Sequence, residues 1–337
     1  MTWQQKFSFQ NVRNLINRGL AKENLGRYED AIADYDEAIR LAPDSTEAWR
    51  HRGFAKGSLG QYEEAVSDFD EASRLALDNA GAWFNRGFAK GSLGQYEEAI
   101  ADFDEAIRLA LDDAEAWLHR GFAKGQLGRY GAAIADYDEV INLEPENAEA
   151  WFYRGFSKGQ LGRYGAAIAD FDEAIRLAPD SAEAWLRRGD CKESLGRYEE
   201  ATADCDEAIR LAPDSVGAWL MRGIAKENLG RYEEAIADYD EAIRLAPDNA
   251  RAWLSRGIAK GRLGQYEEVI ADFDRAMELA PDDARTWFNR GIAKAWLGQY
   301  KEAMADVQQA LSLARQQGDT ELAQAAQGFL TDLEGKV

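Results

Sequence analysis

The apolar positions of this chain fall into short stripes of helical period, and the stripes themselves recur every 34 residues. In residues 62–75, Ala65, Phe69 and Ala72 share one face at spacings of four and three, the mark of an amphipathic helix. Tyr62, Glu63 and Glu64 open that segment, and acids in a first turn suit the positive end of the helix dipole. Ahead of it lies another helical segment that carries Trp49 and Gly53. It should end near Leu59-Gly60, where glycine takes the left-handed C-cap conformation at no steric cost. The residue before this first helix in successive periods is Asn11, Ser45, Asn79, Asp113, Asn147, Ser181, Ser215, Asn249 or Asp283. Each has a side-chain oxygen able to accept from an orphan N–H of the first turn, so the sequence predicts a side-chain N-cap at all of them. No segment shows the two-residue alternation of a strand.

Tryptophan sets the register. Trp49, Trp83, Trp117, Trp151, Trp185, Trp219, Trp253 and Trp287 are each 34 residues apart. One period earlier Leu15 takes the place of Trp, and Arg18, Gly19, Lys22, Leu25, Gly26 and Tyr28 follow in the usual order, which makes nine copies. The stretch GFAKGSLGQYEEA at 53–65 recurs letter for letter at 87–99. A fixed period of this length predicts stacked helix-turn-helix units, because one helix pair cannot bury its own apolar face and each copy supplies the next with a surface. Trp49, Gly53, Leu59, Tyr62, Ala65, Phe69, Ala72 and the proline of LAPD resemble the tetratricopeptide repeat, whose W…LG…Y…A…F…P pattern they follow. The resemblance covers residues 12–317 without an insertion. It implies an all-α, right-handed superhelical solenoid of nine repeats, starting at residues 12, 46, 80, 114, 148, 182, 216, 250 and 284. It also implies that first helices line a concave side and second helices lie outside.

Charged residues recur as regularly as the tryptophans. Arg52 and its equivalents, from Arg18 to Arg290, lie three residues after the marker, and Lys56 and its equivalents lie four further on. The family pattern favours an apolar residue at the first of these positions and an aromatic one at the second. Asp68 and its equivalents, from Asp34 to Asp306, recur in every second helix. A charge on the stripe that carries Gly53 needs a partner. The pattern therefore predicts an Arg–Asp ladder in the spine, in which Arg154 pairs with Asp170 or with an aspartate of an adjacent repeat. Lysines should reach past the packing to water or to Asp70-type acids, and Asp70 and Arg74 should pair on an exposed face. A basic track for an anionic ligand is the other reading of the same residues.

The next stripe points to binding. One and five residues past Trp lie Phe84 and Phe88, Leu118 and Phe122, Phe152 and Phe156, Leu220 and Ile224, Leu254 and Ile258, and Phe288 and Ile292. Each pair shares a helix face, which the resemblance puts in the concave groove; packing against the neighbouring first helix is the alternative. Members of the family that bind chaperone tails carry Lys and Asn on this stripe as a carboxylate clamp, and that clamp is absent here. Gly57, Gly91, Gly125, Gly159 and Gly261 lie in the last turn of first helices, where each costs about 1 kcal/mol relative to alanine. Close packing and a lowered groove wall both account for them. Glu115 and Glu149 stand beside the most aromatic part of the stripe. An apolar floor with acidic edges selects a protein or peptide segment with apolar anchors and basic flanks.

Composition narrows the partners further. The formal net charge of -21 disfavours nucleic acid and anionic membrane surfaces. No apolar run has transmembrane length and the start has no signal-peptide pattern, so a cytoplasmic location is expected. Cys191 and Cys205 are the only cysteines, which excludes a disulfide framework; as neighbours within one repeat they read as reduced core thiols or as a redox pair. His51 and His119 sit at equivalent places two repeats apart and read as groove or surface residues. No nucleophile–base set, phosphate loop or metal-ligand spacing appears, so no catalytic residue, metal or cofactor is expected. Residues 1–11 form an N-terminal segment in which Trp3, Phe7 and Phe9 have no assigned place. At the other end Arg315 stands where proline is expected, so the last second helix should run to Gln317. Leu322, Ala325, Ala326, Phe329, Leu330 and Leu333 then predict a capping helix within 318–337. The expected function is a non-enzymatic scaffold that binds a peptide or protein segment in its groove. The alternative is a self-assembly module that forms homo-oligomers by end-to-end stacking or by docking of the N-terminal segment.

Overall fold

The structure is a computed structural model that describes residues 3–336, with side chains from Gln10 onward. The side chains of Trp3, Phe7 and Phe9 lie outside the described part. Among the described residues there are nineteen α-helices and no strand. They belong to two compact units, Met1–Leu177 and Ala178–Val337. The first unit holds α1 (Trp3–Glu23), α2 (Tyr28–Leu41), α3 (Thr46–Ser58), α4 (Tyr62–Leu75), α5 (Ala80–Ser92), α6 (Tyr96–Leu109), α7 (Ala114–Gln126), α8 (Tyr130–Leu143), α9 (Ala148–Gln160) and α10 (Tyr164–Leu177). The second holds α11 (Ala182–Ser194), α12 (Tyr198–Leu211), α13 (Val216–Asn228), α14 (Tyr232–Leu245), α15 (Ala250–Arg262), α16 (Tyr266–Leu279), α17 (Ala284–Trp296), α18 (Tyr300–Gln317) and α19 (Thr320–Glu334).

Within each unit every odd-numbered helix packs on the even-numbered helix that follows, and every even-numbered helix packs on the next odd one. Successive odd helices also touch, whereas even helices do not touch one another. The odd row is thus the more closely spaced layer and lies on the inner side of each unit's curve.

Local chemistry sets the helix ends. Ser45 Oγ accepts from Ala48 N–H at 3.3 Å and Asn79 Oδ1 from Ala82 N–H at 3.2 Å, as the sequence predicts. Asn11 is the exception, because α1 begins at Trp3 and runs through it. At the other end of α3, Gly60 has φ 77°. Gln61 N–H donates to Lys56 C=O at 2.9 Å and Gly60 N–H to Gly57 C=O at 2.9 Å. This Schellman pair satisfies two carbonyls that the helix end would leave orphaned. It recurs after the other first helices that turn into a second helix, as at Arg129 and Gly128.

The ladder predicted from the charges is present in a three-way form. Arg154 Nε and Nη2 grip both oxygens of Asp170 at 3.0 and 2.7 Å, and Nη1 reaches back to Asp138 of the preceding pair at 2.6 Å. The guanidinium lies 4.6 Å over the ring of Trp151, whose indole N–H donates to Pro145 C=O at 2.9 Å. Lys158 Nζ completes the shell of the buried Asp170 at 2.6 Å. The lysines therefore close on the buried aspartate of their own pair rather than on Asp70-type acids or water. Asp70 binds Arg86 of the next pair, and Arg74 turns to Glu71; the expected Asp70–Arg74 pair does not form, because the better-buried guanidinium takes that carboxylate. Arg18 pairs with Asp34 but has no Trp beneath it, and its side chain is 61% exposed against 16% for Arg52.

Two kinds of glycine serve different ends. A Cβ on Gly87 would meet the Phe103 ring at 2.9 Å, so this position must be bare for the helix pair to close. A Cβ on Gly91 would find only Ala99 Cβ, at 4.0 Å. Beyond α18, which runs to Gln317 as predicted, Gly318 turns the chain at φ 74°. Asp319 caps α19 by accepting from Leu322 N–H at 3.0 Å. Ala326, Leu330 and Leu333 are buried against Ala303, Val307 and Leu311 of α18, so the final helix covers the last pair.

Two predictions follow from these contacts. Arg154→Met strands Asp170 with a single lysine and should cost about 3–5 kcal/mol in urea unfolding, whereas Arg18→Met should shift the midpoint much less. Equal shifts would remove the preceding aspartate and the tryptophan from the account. Gly87→Ala should lower the thermal midpoint by overpacking. Gly91→Ala should raise it, because alanine stabilises the helix by up to about 1 kcal/mol over glycine.

Candidate functional site

The odd helices place the predicted stripe on the inner face of each unit, but its two halves differ. Residues one past Trp turn inward to the packing: Leu118 and Leu220 are buried, Phe84 rests 5.9 Å from the Phe103 ring, and Phe152 sits 5.4 Å from Tyr153 and 5.8 Å from Phe171. Leu254 and Ile258 lean on Val269 and Phe273, and Ile224 on the cluster around Tyr239. Phe288 meets the ring of Phe329 on α19 at 6.0 Å. Residues five past Trp are the open half in the first unit. Phe54, Phe88 and Phe122 are 46%, 45% and 36% exposed, while Phe156 and Ile292 are half-buried.

Between adjacent pairs these aromatics border recesses. The first, of about 440 Å³, is lined by Gly53, Phe54, Gly57 and Ser58 of α3, Tyr62 and Phe69 of α4, Phe84, Asn85, Phe88 and Ala89 of α5, and Glu115 and His119 of α7. The second, of about 210 Å³, repeats the set one period on with Phe88, Gly91, Tyr96, Phe103, Phe122, Glu149 and Tyr153, and shares His119. Gly57 and Gly91 thus border the recesses without tight contacts of their own. Phe54 lines the first recess although the sequence reading passed over it; its register five past Trp49 was the available signal. Of the residues two past Trp, His119 was read as a groove or surface residue, whereas Asn85, Tyr153 and Asn289 were missed. All four line recesses, and the sign in the sequence is the variability of that position within the repeat.

His119 is the wall between the two recesses. It stacks on Phe103 at 6.1 Å, meets Phe84 at 5.6 Å and stands edge-on to Phe88 at 5.3 Å. Burial pushes its pKa down, against the opposing pull of Glu149, Glu115 and Asp113, so the imidazole is neutral at pH 7. His51, its equivalent two repeats earlier, stacks on Tyr35 at 5.8 Å and faces Glu23 at 3.5 Å.

In the second unit the floor is different. A recess of about 380 Å³ is lined by Ile258, Gly261, Arg262, Tyr266, Asn289, Ile292 and Trp296. Trp296 is 68% exposed and stacks on Tyr266 at 5.8 Å. Asp190 takes the place of the exposed phenylalanine in α11; burial raises its pKa, and Arg187 and Arg251 partly offset this. Cys191 and Cys205 are free and buried. Burial pushes their thiols up to about 11 and about 12, so they are protonated packing groups at neutral pH. Among the described residues no cluster of three or more His, Cys, Asp or Glu could hold a metal ion, and no helix is long and apolar enough to cross a membrane.

Helix pairs joined by a repeated Arg–Asp–Trp node, with an open inner face, define a helical-repeat scaffold for protein interactions. The chain belongs to the tetratricopeptide-repeat family, which residues 13–45, 46–79, 91–128, 124–162, 157–216, 228–264 and 264–327 match. No curated protein matches it in sequence. Among solved structures it is similar to a tetratricopeptide repeat protein from Parabacteroides merdae, at 20% identity and a TM-score of 0.56, over 74% of this chain and 99% of that one. It is also similar to a chain of the APC/C hetero-tetramer Cut9–Hcn1, at 14% identity and a TM-score of 0.59, over 96% of this chain and 76% of that one. Both likenesses are of fold.

The state of His119 makes stability depend on pH. The unfolded imidazole takes its proton near 6.5 and the folded one only at lower pH. The contribution is therefore complete above 6.5 and is lost as pH falls toward the folded value. His119→Phe should narrow the gap in thermal midpoint between pH 7.5 and pH 5.5, as read by circular dichroism. An unchanged gap would assign the acid sensitivity to other groups.

Proposed function

We propose that the inner face of the first unit binds a peptide or protein segment, and that exposed aromatic side chains are its anchors. The observation that carries this is the row Phe54, Phe88 and Phe122, three large apolar side chains left open on one inner face beside recesses of side-chain size. A folded chain seldom leaves such a row exposed without use. Few buried anchors dominate the affinity of an interface, so these rings supply most of it. Glu115 and Glu149 at the rims favour basic residues beside the partner's apolar anchors and raise the association rate at low salt. The second unit, with Trp296 and Ile292 beside Arg262, carries a surface of different polarity.

The test is a peptide selected from a displayed random library on the purified protein. Phe88→Ala with Phe122→Ala should weaken its binding at least tenfold, about 1.4 kcal/mol, with helical circular dichroism unchanged. Unchanged affinity with the fold intact would overturn the groove reading, and loss of the fold would assign both rings to the core.

A further inference from the structure

We propose that the two recesses that share His119 are arginine-binding cups, each taking a guanidinium of the partner on its aromatic faces and pairing it with Glu115 or Glu149. This rests on the groove reading and changes what the anchor is: a cation inside the recess rather than a basic residue at its edge.

Each cup joins several aromatic rings to one carboxylate. Phe54, Tyr62, Phe84 and Phe88 stand around the first with Glu115, and Phe88, Tyr96, Phe122 and Tyr153 around the second with Glu149. Aromatic faces attract cations, and guanidinium stacks on them more readily than ammonium. No lysine or arginine lines either cup. The basic residues of the same helices are committed elsewhere: Arg52 and Lys56 to Asp68, Arg86 and Lys90 to Asp102. His119, the one remaining nitrogen base, is kept neutral by burial and does not repel a cation.

The protein already shows this chemistry in its own spine. Arg52 lies 4.7 Å over Trp49 while its fork holds Asp68, and Arg86 lies 4.5 Å over Trp83 while holding Asp102. The cups offer the same two complements, a ring and a carboxylate, to an arginine from outside. The second unit supplies the contrast. One of its recesses contains Arg262 and no carboxylate, and another sets Arg285 beside Asp319 and Glu321; the position of Glu115 and Glu149, two before Trp, is occupied there by Arg251 and Arg285 in two repeats and keeps a glutamate at Glu183. The two first-unit recesses differ from both of these in joining several rings to a carboxylate with no arginine or lysine in the lining.

The probes are three capped peptides in which leucine alternates with arginine, with lysine, or with citrulline, the neutral near-isostere of arginine. Calorimetric titration of the full chain at near-physiological salt should rank arginine above lysine above citrulline, with about a tenfold gap between first and last. Glu115→Gln with Glu149→Gln should close most of that gap, while Phe88→Ala weakens all three. Equal affinity for arginine and citrulline would overturn the cup and leave a purely apolar groove. A gap that survives the double glutamine variant would assign it to the bulk negative charge and equally overturn the proposal. Failure of all three peptides to bind would overturn it as well. The groove reading itself fails only if the library-selected peptide is indifferent to the phenylalanine substitutions.

Discussion

A buried aspartate that must be partnered dictates how the repeats of this protein are joined. Asp170 and its equivalents sit in the second helix with almost no exposure, and an unpaired carboxylate there would be strongly destabilising. The arginine of the same pair supplies a fork, a lysine one turn on supplies a third contact, and the arginine's remaining nitrogen reaches the preceding pair. That arginine also presses on a tryptophan whose indole holds the loop before its helix. One side chain thus ties helix to helix, pair to pair and helix to loop. Buried ion networks often add little net stability over an apolar core. Their directional bonds, unlike apolar contacts, specify a single arrangement of the layers.

The node also shapes the inner face. Arginine three past Trp and lysine seven past point to the second layer, and Gly53-type residues let that layer come close. The first and fifth positions past Trp are left to the inner side, and there the two units diverge. The first carries phenylalanines and glutamates; the second replaces most of them with aliphatics, a half-buried Asp190 and arginines. The framework stays constant while the inner face varies, because the node does not use the residues that face inward.

Much of this was legible in the sequence. The period, the helix pairs, eight of the nine caps, the left-handed glycines, the Arg–Asp pairing and the final helix all follow from local chemistry repeated in phase. The misses have a common cause. Asp70 was assigned to Arg74, four residues on, when its partner is Arg86, sixteen residues on in the next pair. Local spacing finds neighbours along a helix, whereas the node is built across helices. Asn11 failed as a cap because nothing stops α1 there: no proline or glycine precedes it, and the helix continues back to Trp3. The groove stripe was half legible. Spacing of four put Leu118 and Phe122 on one face, but a face has width, and only one edge of it is open.

The letter-for-letter recurrence of Gly53–Ala65 at Gly87–Ala99 has a cost during folding. The nodes are chemically alike, so a repeat that docks one place out of turn can form an equivalent node at the cost of the one intervening copy that it loops out. The entropic cost of such a loop grows only logarithmically with its length. Correct order therefore rests on the places where copies differ: Leu15 for tryptophan, Cys205 for an aromatic ring, Asp190 for phenylalanine, and the α19 helix that fits one pair. These departures from the repeat serve as addresses, and a chain with all of them restored to consensus would hold tighter nodes while losing the means to tell its own repeats apart.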